Sequence, residues 1–417
     1  MAGVNAWGDV YLHGEERLRW FVAADDRWYR PSRETTVRQR EISGVPVVET
    51  RIKVPGGDAV ERVYGVADLG GAIVVEIYND SSLPFAVAFD RGDIVTMREP
   101  SPSGVQGLDL PPGSVVFPIG HHTSLRFAIL TDVESGPAAF ARSRAITARE
   151  LELLPSFDQV ERGWLAALNV TSRVDVPEAS WAAKLTEQRC KLLLSSTDAE
   201  KFEAQDRDQI DLVLDRAERV RLGDKPSQWV DQVADATEKI LAKCAQDKKM
   251  QWFERQSILL AGMVLGRAGE TRGRQDIELS LSKLDELADG DRSTLFASDS
   301  SRSVLDGSLS GVRQIAWIES QLVAQRPDGA IEICPHGIDA SWLGINFECH
   351  RLIGSTTHVI SFAVRWHADK PALLWELSGP AGPRVVASGL DLNFSSTQMR
   401  GETLLAGFVA PQSADIK

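Results

Sequence analysis

"VVETRIKVPGGDAV", residues 47–60, decides how the first third of this chain folds. Val48, Thr50, Ile52 and Val54 alternate with Glu49, Arg51 and Lys53. A period of two turns one set of side chains inward and leaves the other in water. Pro55-Gly56-Gly57 then supplies a turn. The pattern recurs in "AIVVEIYNDSSLPFAVAF", residues 72–89, where Phe85, Val87 and Phe89 share a face, and in "PPGSVVFPIGHHTSLRFAIL", residues 111–130. Strands at this spacing predict an N-terminal antiparallel β-sandwich over residues 1–145.

Composition changes near Ile146, where Ala, Leu, Glu, Arg and Gln take over. "DRDQIDLVLDRAERVRLG" sets Ile210, Val213, Leu214, Ala217 and Val220 at helical spacing, with Gly223 as a stop. "SQWVDQVADATEKILAKC" does the same from a Ser227 N-cap, and "WFERQSILLAGMVLGRAG" is apolar around most of its girth, which predicts a central helix. "EASWAAKLTEQRCKLLL", "DIELSLSKLDELADG" and the segment around Trp164 bring the number between 147 and 290 to about six. A Ser/Asp/Gly-rich loop at 290–311 and a last helix at 311–325 complete a helical domain over 146–325, a bundle of amphipathic helices with no repeat period.

Strand patterning returns in a C-terminal β unit, residues 326–417. Within "HVISFAVRWHADKPALLWELSG", residues 358–379, Ile360, Phe362, Val364 and Trp366 fall on one face, and Leu373, Trp375 and Leu377 line up after the turn. A hairpin that packs its tryptophans into a core accounts for the stretch without a ligand. The order of parts is β, α, β: a multidomain α and β chain.

At 417 residues, with 43% apolar and 25% charged residues, the composition is that of a globular chain long enough for two or three cores. A formal net charge of −13 without a Lys/Arg block argues against nucleic acid and anionic membranes. No run approaches the ~18 apolar residues of a membrane span, and "MAGVNAWGDVYLHGEERLRW" lacks the form of a secretory signal. Cys190, Cys244, Cys334 and Cys349 include no CxxC pair, so a zinc cage is disfavoured and reduced thiols in a cytoplasmic protein are expected. Asn169-Val170-Thr171 then carries no glycosylation meaning.

Two segments carry a family likeness. "VPGGDAVERVYGVADLGGAIVVEIYNDSSLPFAVAF", residues 54–89, resembles the N-terminal sandwich strands of the glucoamylase-like, six-hairpin glycosidase group. "DGAIEICPHGIDASWLGINFECHRLIGSTTHVISFAVRWHADKPALLWEL", residues 328–377, resembles the β segment after the last helix of that group, in the style of its actinobacterial members. The resemblance implies an α/α toroid between the β parts and a carbohydrate ligand or substrate. A complete ring takes about twelve helices, whereas this region has room for about six or seven. The expected toroid is therefore incomplete, and the resemblance implies a non-catalytic relative that binds a carbohydrate or a protein partner. A working glycoside hydrolase and an interaction module in a homo- or hetero-oligomer are the alternatives. An incomplete ring would leave apolar helix faces to be covered by self-association or by another chain.

Glycoside cleavage needs two carboxyls across a cleft, one of them kept protonated, with tryptophans to stack on the sugar. Three places bring Trp near Glu or Asp: "MQWFERQ" with Trp252, Glu254 and Arg255, "IAWIESQ" with Trp317 and Glu319, and "HGIDASWLG" with His336, Asp339 and Trp342. Glu254, Glu319 and Asp339 are the candidate acid and base; Trp252, Trp317, His336 and Trp342 are the candidate binding residues. The plainer reading makes Glu254 and Glu319 solvated helix residues, Trp252 and Trp317 core, and Asp339 an N-cap. His121-His122 on a strand would point to opposite faces, and His13, His350, His358 and His367 lack ligand spacing, so no metal is expected. No P-loop, GxGxxG or GxSxG occurs, and no cofactor is expected.

Overall fold

The structure, a computed structural model, describes residues 2–12, 17–130, 148–195, 208–248, 250–287, 309, 311–368 and 370–406. His13 and nearly all of the 290–311 loop lie outside the described residues. Where composition marks three segments, contacts group the chain into two units, Met1–Leu165 and Ala166–Lys417.

The first unit is antiparallel β. Three short strands, β1 (Gly3–Val4), β2 (Val10–Tyr11) and β3 (Arg17–Leu18), form one sheet. A second sheet, ordered β12-β10-β4-β5, comprises β4 (Trp20–Ala24), β5 (Arg27–Tyr29), β10 (Phe85–Phe89) and β12 (Val115–Ile119). The third, ordered β11-β13-β9-β8-β7-β6, holds β6 (Arg38–Glu41), β7 (Val47–Val54), β8 (Gly57–Val66), β9 (Ala72–Ser81), β11 (Val95–Thr96) and β13 (Ser124–Leu130). The two larger sheets contribute to one apolar cluster, in which Phe127 of β13 meets Phe89 of β10 at 4.7 Å and Phe117 of β12 at 4.9 Å. Helix α1 (Ala148–Leu153) and most of α2 (Phe157–Leu168) also belong to this unit.

The β7–β8 hairpin turns where expected: Val54 pairs with Gly57, and Gly56 has φ +81, a conformation that favours glycine. Thr50, Ile52 and Val54 are buried as the alternation requires. The opposite face departs from expectation, because Glu49 is only 2% exposed rather than in water. Its row explains why. Arg40, Glu49, Arg62, Glu76 and Arg126 stand opposite one another on five adjacent strands, with alternating sign. The Arg62 guanidinium stacks 4.1 Å from the Phe157 ring of α2, and Arg126 donates to the Leu154 carbonyl. The unit's own helical segment therefore packs over the row at Arg62 and Arg126, while Arg40 at its other end is exposed. His121 and His122 sit in the turn between β12 and β13, not on a strand as first read, with His122 at φ +51 and the rings 6.0 Å apart.

The second unit contains α3 (Ala179–Leu194), α4 (Gln209–Arg221), α5 (Val230–Asp247), α6 (Trp252–Ala268), α7 (Thr271–Leu287) and α8 (Gly311–Leu322). Its sheets are β14-β17-β18-β19-β22, with β14 (Arg173–Asp175), β17 (Phe347–Ile353), β18 (Val359–His367), β19 (Lys370–Ser378) and β22 (Arg400–Leu404), and β15-β16-β20-β21, with β15 (Val323–Gln325), β16 (Ile331–Ile333), β20 (Val385–Ala387) and β21 (Asp391–Ser396). All pairs are antiparallel except β16–β20. Helices and strands share one core, from Val213 of α4 and Ile258 of α6 to Phe362 of β18 and Val385 of β20. Helix α6 is the central helix its all-round apolarity predicts, and it packs on α4, α5 and α7.

Two helix boundaries differ from the sequence reading. Ser227 lies in a 3-10 turn led by Pro226, and α5 starts after Trp229, whose indole N–H donates to Asp224 at 3.1 Å. The last helix ends at Leu322, because Val323–Gln325 pairs as a strand with Ile331–Ile333. The 358–379 stretch is the β18–β19 hairpin, with Phe362 opposite Trp375 and Trp366 opposite Pro371. Trp375 is buried and lies across Gly401 of β22, where a Cβ would come within 2.5 Å of its ring. Trp366, beside the turn that closes the hairpin, is only half-buried.

Candidate functional site

The three candidate carboxyls lie in three different settings. Glu254 stands in the first turn of α6 and is 4% exposed, not solvated. Its carboxylate closes a capping box by accepting from the Gln251 N–H at 2.7 Å, and it pairs with Lys243 at 2.9 Å. Burial alone would raise its pKa, but the Gln251 N–H, Lys243 and the Cys244 thiol together bring it below the ordinary value. Beside it, Arg255 forms a two-pronged pair with Asp285 at 2.8 Å, and Trp252 is buried against Phe253 at 4.6 Å.

Glu319 of α8 is also buried rather than solvated, because it closes a ring of charges. Oε1 accepts from Arg189 Nη2 at 2.7 Å and Arg221 Nη2 at 2.8 Å, Oε2 accepts from Arg221 Nη1 at 2.8 Å, and the Ser172 hydroxyl donates to Oε1. Glu218 completes the ring by accepting from Arg189 Nε at 2.6 Å and Arg221 Nη1 at 2.7 Å. Glu218 and Arg221 sit three residues apart on α4, so one turn of helix presents both. Two guanidiniums thus balance two carboxylates, and the fork geometry of arginine serves both at once. Burial pushes the Glu319 carboxyl up, yet Arg221 and Arg189 outweigh it and hold it ionised; Glu218 and Glu319 likewise keep the buried Arg221 charged.

Asp339 is exposed and N-caps the 3-10 turn Ala340–Trp342, accepting from the Ser341 N–H at 2.8 Å, which lowers its pKa. His336 in the same loop is half-buried. Trp342 points inward and is 7% exposed.

The structure brings together two candidate residues, Trp317 and Trp342, through a third that the sequence reading passed over. The Trp181 ring of α3 meets Trp317 edge-on at 5.9 Å and Trp342 at 5.6 Å, and Trp342 continues to Phe347 at 5.3 Å. The Trp317 indole N–H is buried with no hydrogen-bond partner among the described residues. Glu254 and Glu319 share no partner, and neither shares one with Asp339. Arg189, Glu218, Arg221 and Ser172 are not among the sequence candidates; Glu218 and Arg221 have one local signal, the dense alternation of sign in "DRAERVR", residues 215–221, and Arg189 and Ser172 lie outside it.

No group of three or more His, Cys, Asp or Glu among the described residues is placed to hold a metal ion. No helix among them is long and apolar enough to cross a membrane. All four cysteines are buried, and burial pushes the Cys334 thiol up to about 12. The chain matches no model of a known protein family and no curated protein.

Proposed function

We propose that this chain is a cytoplasmic, glycosidase-related protein of the glucoamylase-like group that binds a carbohydrate without cleaving it. In this reading the N-terminal sheets are the group's sandwich and the helices of the second unit are a shortened α/α ring. One observation carries the absence of cleavage: Glu254, Glu319 and Asp339 are all held below the ordinary carboxylate range by structural partners. A glycosidase acid must keep its proton at working pH, which takes a pKa shifted the other way. Six of the described α-helices belong to the second unit, fewer than the about twelve of a full ring, which supports the same reading. Buried thiols suit a reducing compartment.

The test is a glycan array with calorimetry on the hits, run beside a hydrolysis assay on a panel of α- and β-glycosides. The expected result is saturable glycan binding with no turnover. Turnover abolished by the combined changes Glu254→Gln, Glu319→Gln and Asp339→Asn would replace this reading with a working hydrolase. Absence of any glycan ligand, with a stable oligomer by light scattering, would replace it with a protein partner or a second copy.

A further inference from the structure

The carboxyls that burial pushes upward are elsewhere, in the first unit. Glu61 of β8 shares its face with Ala59 and Val63, which belong to the core cluster between the two larger sheets. It is 1% exposed, and its Oε2 has no hydrogen-bond partner among the described residues. Thr50 and Ile77 stand opposite it on the neighbouring strands.

The turn between β1 and β2 closes over this carboxyl. Gly8 has φ +89, and a Cβ there would collide with Glu61 Oε2 and the Trp20 indole nitrogen, so the bare backbone of Gly8 abuts the acid. Hydrogen bonds elsewhere in the turn hold its backbone. Asn5 Oδ1 accepts from the Trp7 N–H at 2.9 Å and the Asp9 N–H at 3.0 Å. The Trp20 indole N–H donates to the Trp7 carbonyl at 3.0 Å, and Gln39 Nε2 donates to the Asn5 carbonyl at 2.6 Å.

We propose that the Asn5–Asp9 turn is a proton-dependent latch, seated while Glu61 carries its proton and lifted when Glu61 ionises. A neutral acid can sit against Gly8 in this apolar end of the core, whereas a carboxylate with no donor cannot stay dry. The charged group that faces Glu61 is Asp9, itself 7% exposed. Asp9 in turn feels Arg17, Arg19 and Asp90, while Asn5 donates to its carboxylate at 3.1 Å. No described cation lies against Glu61 to hold it ionised. Burial first, and the Asp9 charge second, raise the Glu61 pKa well above its ordinary value. The sign follows: the seated turn is fully stabilised below the ordinary pKa of about 4.5 and loses that stabilisation as pH rises through the raised one.

Hydrogen exchange of the peptide spanning residues 2–12, corrected for intrinsic rate, tests the latch on the full chain. Opening releases one proton, so once pH passes the ordinary carboxyl value of about 4.5, protection should fall by up to about tenfold per pH unit until pH reaches the raised value. Glu61→Gln, and independently Glu61→Leu, should remove that slope while keeping the turn protected at high pH. Protection in the unaltered protein that does not change with pH overturns the proposal, as does an unchanged slope in either folded variant.

Discussion

Single residues in this protein show how one functional group takes opposite charge states from its surroundings. Glu49 and Glu61 lie on paired strands, and both are almost fully buried. Burial alone would raise both. At Glu49 the hydrogen bonds and charges of Arg51 and Arg62 outweigh it and bring the carboxyl down to about 2. Its contribution is present above the ordinary pKa of about 4.5 and is lost as pH falls through about 2. Glu49→Gln should therefore flatten the acid limb of stability in that window, by about 3 kcal/mol at full effect; urea midpoints between neutral pH and pH 2 measure it. A variant that keeps the acid limb intact assigns it to other carboxyls. Glu319 poses the buried-ion case. Glu319→Gln leaves Arg189 and Arg221 short of a counter-charge and should cost about 3–5 kcal/mol in urea unfolding. Pairing Glu319→Leu with Arg221→Met removes one charge of each sign and should cost clearly less than Glu319→Gln alone. Equal losses would show that packing, not charge balance, sets the value of the ring.

At the scale of elements, the helix start that carries Glu254 separates a structural from a catalytic role. Glu254→Ala opens the capping box of α6 and should cost about 1–2 kcal/mol. Glu254→Gln keeps an oxygen for the Gln251 N–H and should restore most of the loss, as read from paired thermal melts. A glutamine that melts like the alanine would mean that the Lys243 pair, not the cap, holds the helix start. Elements were also where the sequence could best be read. The parity of Ile360, Phe362 and Val364 is local, so the β18–β19 hairpin and its buried Trp375 follow from spacing alone. The parity of Ala59, Glu61 and Val63 held the same information about the buried acid. The charge ring was illegible for a physical reason. Arg221 finds Glu319 98 residues away, and Ser172 finds it 147 residues away, so no window of sequence contains the pair. Helix patterning assigns charged residues to water by default. It therefore misplaces Glu218, Arg221 and Glu319, which are buried only because each neutralises another.

For the molecule as a whole, the division into two units sets what can be removed. The helices of the second unit share a core with β16 to β20, and Gly262 of α6 packs closely enough on Thr356 that a Cβ would come within 2.7 Å of it. A chain of residues 166–325, without the first unit, would lack that half of the core and should lose cooperative melting and near-UV dichroism while keeping far-UV helix signal. A sharp melt from such a chain would show that the helices form a core of their own.

Strand β14 carries one more consequence, for how the protein is made. Its three residues pair with β17, where Arg173 and His350 stand opposite each other across 177 positions of sequence. At ribosomal rates of about 5–20 residues per second, β14 waits roughly 10–35 s for its partner. During that interval α3 to α8 are made one after another, and their amphipathic faces emerge before the strands that cover them. The nascent chain is thus a candidate client for a holding chaperone, and its yield should depend on translation speed across the last hundred codons more than across the first.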